Sequence, residues 1–354
     1  MRVLMSTDTV GGVWTYSLTL ARALGARGVE VVLATMGAPL SSVQRREAGE
    51  AGLAELHESN FALEWMDEPW RDVEAAGEWL LGLAGDQQSD VVHLCSFAHA
   101  SLAWPAATVL VGHSCVVSWW HAVYGTEPPP SWDRYRAAVR AGLHGAGAAV
   151  APTSWMLGEL RRHHGLRSGV TISNASEAPV AGDAPKEPLV LTAGRLWDPA
   201  KNLAALDRAA DGLAWPVLAA GHGGDGRHVR AMGALGRDEL AGLRAAASIF
   251  VAPARYEPFG LAALEAARAG CSLVLGDIPS LREVWGNAGL FVDPGDHHAL
   301  RGALERLIAD AGLRADLARR ARLRAARYRS DRMAAAYVRL YRRVRATAAD
   351  GATA

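Results

Sequence analysis

Glu257 and Glu265 stand eight positions apart in the stretch Ala254–Gly270, ARYEPFGLAALEAARAG. A carboxylate accepts two hydrogen bonds at once and so suits a vicinal diol. The run SIFVAPAR ahead of them reads as a strand entering a loop. Pro258 suits the first turn of a helix, where its missing N–H is not needed, so Glu257 is predicted at that helix's mouth. Gly260 lets backbone approach a ligand closely. The free amides of a first turn, with the helix dipole, favour a phosphate. At ~1.5 Å per residue, eight helical positions span roughly 12 Å, the scale of the distance between two sugars flanking a diphosphate. One carboxylate then serves a sugar beyond the phosphates and the other a ribose behind them. The plainer alternative makes Glu257 a helix-favouring charge and Glu265 a surface residue. Glu265, however, is surrounded by alanines and leucines, where a carboxylate needs a partner.

The elements around this pair follow a regular rhythm. RVLMST, VEVVLAT, DVVHLCS, TVLVGHS and AAVAPTS read as buried strands between amphipathic segments such as WTYSLTLARALGARG. That alternation implies βαβ units and a parallel sheet. It restarts after residue 187 with LVLTAG, WPVLAAG, SIFVAP, SLVLGD and GLFVDP, separated by helices predicted near 201–211, 238–247, 258–269 and 298–309. SNASEAPVAGDAPKEP between the halves has linker composition. The expected organisation is α/β, two doubly wound Rossmann-like domains at 1–173 and 188–327, a linker at 174–187, and a final helix at 328–346 that folds back toward the first domain. Paired domains of this kind bind ligand in the cleft they face, at the carboxyl ends of their strands.

Composition excludes several classes. The chain has 354 residues, half of them apolar and 21% charged, which is ordinary for a soluble protein of two domains. Formal net charge is zero, so no nucleic-acid footprint is present. Cys95, Cys115 and Cys271 lack zinc spacing and are odd in number, which favours reduced, buried thiols. No window approaches ~18 uninterrupted apolar residues, and the MRVLMST start is too short for a signal segment. The expected location is cytoplasmic, with peripheral membrane contact left open.

With these residues in view, EPFGLAALE resembles the Glu-x7-Glu signature of retaining glycosyltransferases of the GT-B fold, most closely glycosyltransferase family 4. AGRLWDPAKN is similar to that family's Gly-Arg…Lys-Asn segment, TDTVGGVWTY to its N-terminal glycine loop, and LVGHS to its strand ending in histidine. AGHGG, GALG and AGLFVDPGD follow in the family's order. The resemblance implies donor contacts at Gly11, Gly12, Arg195, Lys201, Leu235, Gly236, Glu257, Phe259, Gly260, Leu261 and Glu265. Within that set, Glu257 faces the donor sugar, Glu265 the ribose, and Arg195 and Lys201 the diphosphate. Gly11 and Gly12 bring first-helix amides to the diphosphate or sugar, and the backbone at Leu235 and Gly236 cups the base. His113 lies near the reacting sugar and is counted, with Glu257, Arg195 and Lys201, among the catalytic residues. The family often has Asp after this histidine, and Ser114 stands here instead, which leaves an acidic partner for His113 undecided.

The cations also have an independent physical argument. A nucleoside diphosphate gains negative charge as the glycosidic bond breaks, so fixed positive groups on it lower the barrier. Both follow the strand LVLTAG and so fall on the loop at its carboxyl end. No Asp-x-Asp pair occurs in the sequence, and no metal or other cofactor is predicted. A structural hydrogen-bonder is the ordinary alternative for His113.

Other signals carry less. GHGGDG, Gly221–Gly226, matches a dinucleotide fingerprint literally but lacks its helix and its later acid, so a tight turn is predicted. Nine of twelve tryptophans fall at or before Trp155. Trp119 and Trp120, just past His113, are acceptor-side candidates because aromatic faces stack on sugars or aglycones, with core packing as the alternative. His163–His164 and His297–His298 read as surface residues. The function expected is retaining transfer of a hexosyl group from a nucleotide diphosphate sugar to a saccharide, lipid-linked or small-molecule acceptor. A non-catalytic sugar-nucleotide-binding protein and a phosphorylase or epimerase of the same fold are the alternatives.

Overall fold

The computed structural model describes residues 1–180, 185–223 and 226–352. Residues 181–184 of the expected linker, and 224–225 of the glycine-rich turn, lie outside the described residues. The chain divides into two compact units, one from Met1–His121, Thr126–Ala175 and the segment from Ser330 onward, the other from Ala122–Gly125 and Ser176–Arg329.

The first unit is built on a seven-stranded sheet of β1 (Arg2–Asp8), β2 (Glu30–Met36), β3 (Glu55–Glu58), β4 (Val91–Leu94), β5 (Ala107–Val111), β6 (Ala148–Ala151) and β7 (Val170–Thr171). Their spatial order is β3-β2-β1-β4-β5-β6-β7, and every pairing is parallel. The helices along this unit are α1 (Gly12–Gly25), α2 (Ser42–Gly49), α3 (Trp70–Asp86), α4 (Val116–Tyr124), α5 (Asp133–Gly145) and α6 (Ser154–His164). Central strands are buried on both faces: Val3, Leu4 and Met5 of β1 are inaccessible to solvent. That is why they read as continuous apolar runs.

The second unit repeats the plan with β8 (Glu187–Ala193), α7 (Leu203–Ala210), β9 (Val217–Ala220), β10 (Arg230–Gly233), α8 (Arg237–Ala246), β11 (Ala247–Ala252), α9 (Leu261–Arg268), β12 (Ser272–Gly276), α10 (Pro279–Trp285), β13 (Leu290–Val292), α11 (His297–Ala309) and α12 (Ala311–Ala325). Its six strands run β10-β9-β8-β11-β12-β13, again all parallel. Alternation along β11 feeds two cores. Ile249 and Val251 pack with Leu206 of α7 and Leu300 and Leu304 of α11. Phe250, between them, joins Leu264 of α9, Trp285 of α10 and Ala321 of α12 on the opposite face. The last helix, α13 (Ser330–Ala352), packs on α1 and β5 of the first unit.

The architecture is thus two Rossmann-like α/β domains. Three strands escaped the sequence reading: β3, β7 and β10. Each is an outer strand of its sheet and short, and β3 (ELHE) and β10 (RAMG) carry polar or small residues rather than an apolar run. The helix predicted from 258 begins at Leu261, because Gly260 adopts a left-handed conformation with φ 90°. No described helix is long and apolar enough to cross a membrane.

Candidate active site

The loop after β8 is held by its own side chains. Asp198 Oδ1 accepts from the Ala200 amide at 2.9 Å and so caps the 3-10 turn Pro199–Lys201. Asn202 ends that turn with φ 60°, and its side-chain amide donates to the carbonyls of Pro253 (2.9 Å) and Pro294 (2.8 Å). The Arg255 amide donates to Ala200 O at 2.8 Å. Tied to the ends of β11 and β13 in this way, the loop delivers Lys201 Nζ to 2.6 Å from Glu257 Oε2. Arg195, one turn back, lies 3.3 Å from Asp198 and over the half-exposed Trp197 ring.

Glu257 is equally fixed. Its Oε1 accepts from the Gly260 amide at 3.0 Å, and its carbonyl accepts from Ser280 Oγ at 2.7 Å. Burial pushes its carboxyl up, but the Lys201 ammonium, Arg195 and the Gly260 amide pull harder, and the net shift is downward. The group is therefore an anion at neutral pH. Lys201, Glu257 and Gly260 line a pocket with Thr192, Ala193, Ala252, Ala254 and Leu281, at the carboxyl ends of β8 and β11.

Several expected donor contacts are placed differently. The Phe259 side chain is 3% exposed and stacks edge-on against Tyr328 at 5.3 Å, so it belongs to the core. Leu261 opens α9 and is partly buried against the same core. Glu265 is not a surface charge: its carboxylate pairs with Arg244 of α8, which is itself 9% exposed. Burial raises the Glu265 carboxyl above its ordinary range, and Arg244 offsets only part of that rise. The Gly236 amide is taken by Glu239 Oε2 at 2.9 Å, and Leu235 leans on the core. The Gly236 amide therefore already has a partner within its own helix cap. Arg244, Asn202 and Ser280 were not among the candidates. Nothing local marks Arg244 or Ser280, because their partners lie 21 and 23 positions away.

In the first unit, Gly11 caps α1 with φ 79° and ψ −139°, a conformation that needs glycine. Gly11 and Gly12 are exposed, and α1 begins with no side-chain cap and no acidic residue in its first turn. A glycine cap supplies no side chain to the leading amides, the arrangement in which a helix start favours an anion. His113 follows β5, two strands from β1 in the same parallel sheet. Its rim is partly exposed, and desolvation of the rest pushes the imidazole down to about 3. It is neutral at physiological pH. Its Nε2 lies 3.6 Å from Cys95 Sγ, and its ring meets Tyr16 edge-on at 4.3 Å. Trp119 and Trp120 lie on α4, partly exposed and edge-to-face at 6.1 Å.

The remaining motifs divide. His164 is not on the surface: it is 2% exposed, with Nε2 3.0 Å from Cys115 Sγ, because the end of α6 turns that side chain inward. His163 is also largely covered, bonding Glu159 at 3.2 Å, while His298 is exposed. In the described part of GHGGDG, a Cβ on Gly221 would fall 1.8 Å from the Gly194 carbonyl and one on Gly223 2.7 Å from Trp197. Those glycines let the turn close on the Arg195 loop. The three cysteines are free, and among the described residues no three metal-ligating side chains converge.

Comparison with known proteins agrees with this plan in both halves. Residues 10–175 match the model described as Glycosyltransferase Family 4, and residues 217–324 that of Glycosyl transferases group 1. A phosphatidyl-myo-inositol mannosyltransferase of Mycolicibacterium smegmatis is 30% identical over 51% of this chain and 51% of its own length. An O-antigen chain mannosyltransferase B of Escherichia coli is 33% identical over 35% of this chain and 29% of its own. The chain thus spans about half of the first of these relatives and under a third of the second. A D-inositol 3-phosphate glycosyltransferase of Xylanimonas cellulosilytica is 28% identical over 95% of the chain and 92% of its length. Among solved structures, sucrose-phosphate synthase of Thermosynechococcus elongatus superposes with a TM-score of 0.79 at 20% identity, covering 98% of this chain and 100% of that one. HepE of Anabaena, solved with UDP-glucose, superposes at 0.75 and 15% identity, covering 99% and 100%. With a family 4 half followed by a group 1 half on two Rossmann-like domains of the GT-B class, the chain belongs to the group 1, family 4 glycosyltransferases.

Proposed function

We propose that the protein transfers a hexosyl group, with retention of configuration, from a nucleotide diphosphate sugar to a saccharide, lipid-linked or small-molecule acceptor. The observation that carries this reading is the Lys201–Glu257 contact of 2.6 Å in a pocket at the strand ends, with Arg195 on the same loop. An ammonium held by a carboxylate is already in place, so it needs little reorganisation when charge develops on the leaving diphosphate. Arg195 adds a second cation able to grip phosphate oxygens in a bidentate manner. Glu257, kept anionic, accepts hydrogen bonds from donor hydroxyls. First-helix amides at Gly11 and Gly12 are the further donors of this reading, to the diphosphate or sugar.

His113 fits an orienting role. A neutral imidazole offers one acceptor nitrogen to a sugar hydroxyl and puts no repulsive charge beside an oxocarbenium-like centre. That likeness to HepE, whose structure holds UDP-glucose, supports a nucleotide-sugar donor. Fixed cations at the phosphates make the reaction metal-independent in this scheme. The test is release of nucleoside diphosphate over a panel of UDP-, GDP-, ADP- and dTDP-sugars, comparing wild type with Glu257→Gln. Undiminished transfer by the variant ends the assignment, and donor binding without release by wild type points to a sugar-nucleotide-binding protein instead.

A further inference from the structure

Four aromatic side chains from three distant segments meet behind His113. Tyr16 comes from α1, His93 from β4, and Tyr337 and Tyr341 from α13, and all four are 0% exposed. His93 Nδ1 is 2.7 Å from Tyr341 Oη, and His93 Nε2 is 3.2 Å from Tyr16 Oη. Tyr16 Oη donates to Tyr337 Oη at 2.6 Å. A neutral imidazole has one donor and one acceptor. With Tyr16 donating to Tyr337, the Tyr16 oxygen accepts from His93 Nε2–H, and Nδ1 accepts from the Tyr341 hydroxyl. The chain then runs one way, from Tyr341 through His93 and Tyr16 to Tyr337, and successive bonds polarise one another.

Such an arrangement is expensive unless every member is satisfied, and phenylalanine would fill the same space without the demand. Its position shows what it holds. The Tyr16 ring lies 4.3 Å from the His113 ring at 68°. Cys95 Sγ is 3.6 Å from His113 Nε2, and the Cys95 amide donates to Ser6 Oγ at 3.1 Å. α13 packs on α1, which carries Tyr16, and on β5, whose end carries His113. The imidazole is therefore flanked by a phenol anchored through its hydroxyl and by a thiol anchored through its backbone.

We propose that the Tyr341–His93–Tyr16–Tyr337 relay is a positioning device for His113: it locks the Tyr16 ring, and so the aim of the imidazole at the reacting sugar, making α13 part of the active-site machinery. The proposal rests on the reading of His113 given above. Cutting the relay leaves the donor's phosphate contacts on Arg195 and Lys201 intact, so binding is preserved while the productive fraction of His113 orientations falls.

Full-length Tyr16→Phe keeps the ring and removes the hydroxyl. The expected result is a kcat lower by roughly ten- to a hundredfold, the upper end being the scale of a group misplaced by about 1 Å, with the donor KM unchanged within about twofold. The ring signal of His113 in 15N-histidine NMR, assigned by its loss in His113→Gln, should shift and broaden. Tyr341→Phe should move both readouts in the same direction. Arg339→Gln, on the exposed side of α13, should move neither. A folded Tyr16→Phe with wild-type kcat and an unmoved ring signal overturns the relay, as does an effect confined to KM. His113→Gln separates the two ideas: a wild-type rate there removes the reading of His113, whereas an impaired His113→Gln beside a normal Tyr16→Phe removes only the relay.

Discussion

Acidification from pH 7 to pH 5 should destabilise this protein, and the cause lies in the first unit. His93 is fully buried and pushed by desolvation down to about 3, and His164 down to about 4, from an ordinary 6.5. Above pH 7 both are neutral whether folded or unfolded, so they contribute no pH dependence. Below the unfolded value the unfolded chain binds protons that the native state refuses, and stability falls as pH falls. At pH 5 the difference is about 2 kcal/mol for each group, or about 4 kcal/mol for the pair. Glu64 works in the opposite sense. Its carboxylate accepts from the Phe97 and Ala98 amides at 3.0 and 2.8 Å, yet burial raises it from 4.5 to about 6. That penalty, about 2 kcal/mol at neutral pH, shrinks to about 1 kcal/mol at pH 5 and so returns about 1 kcal/mol. The net loss between pH 7 and pH 5 is on the order of 3 kcal/mol, a large share of the 5–15 kcal/mol typical of a folded protein. His113, with its partly exposed rim, adds in the same direction. Guanidinium unfolding at pH 5, 6 and 7, followed by fluorescence of the nine tryptophans of the first unit, measures this. A midpoint unchanged from pH 7 to pH 5, or a slope that His93→Gln with His164→Gln leaves intact, would refute the reasoning.

Lys201→Met leaves Glu257 without its ammonium, so stability should drop by about 2 kcal/mol and diphosphate release by at least roughly 100-fold, read by calorimetry and by a coupled assay. Arg244→Met strands the buried Glu265 carboxylate at a cost of about 3 kcal/mol, and adding Glu265→Gln should recover most of it; no recovery in thermal denaturation would mean the pair is not the source. Gly276→Ala puts a Cβ 2.2 Å from the Ala254 carbonyl. Backbone must then move at a pocket-lining residue, costing about 2 kcal/mol in denaturant titrations and raising the donor KM. If fixed cations neutralise the diphosphate, initial rates in excess EDTA should match those with added Mg²⁺ within about twofold; a loss restored by metal contradicts the scheme.

What local chemistry dictates was legible. Continuous apolar runs such as RVLMST and SIFVAP specify central strands because both their faces are covered. The short outer strands β3, β7 and β10 lack that pressure and left no comparable signal. Lys201, Arg195 and Gly11 were reached through the family resemblance of AGRLWDPAKN and TDTVGGVWTY, and for the two cations the loop at a strand's carboxyl end gave a local physical reason as well. The start of α9 was misread by three residues because Pro258 suits a first turn, whereas Gly260 turns the chain left-handed before the helix begins.

Pairings across the chain were decided by the tertiary structure alone. The sequence by itself determined two parallel α/β units and two cations on the loop after the strand LVLTAG, and its family resemblance added a first helix opened by glycine. It did not determine that Lys201 meets Glu257, 56 positions away, or that Tyr16 meets Tyr337, 321 positions away. Nor did it show that Glu265 is matched by Arg244, that Phe259 serves the core, or that His164 is buried. Periodicity and capping depend on neighbours within a few residues, so they are written locally. A buried charge or phenol is stable only if some other segment brings a complementary atom to within about 3 Å, and only the packed sheets and helices settle which segment does so.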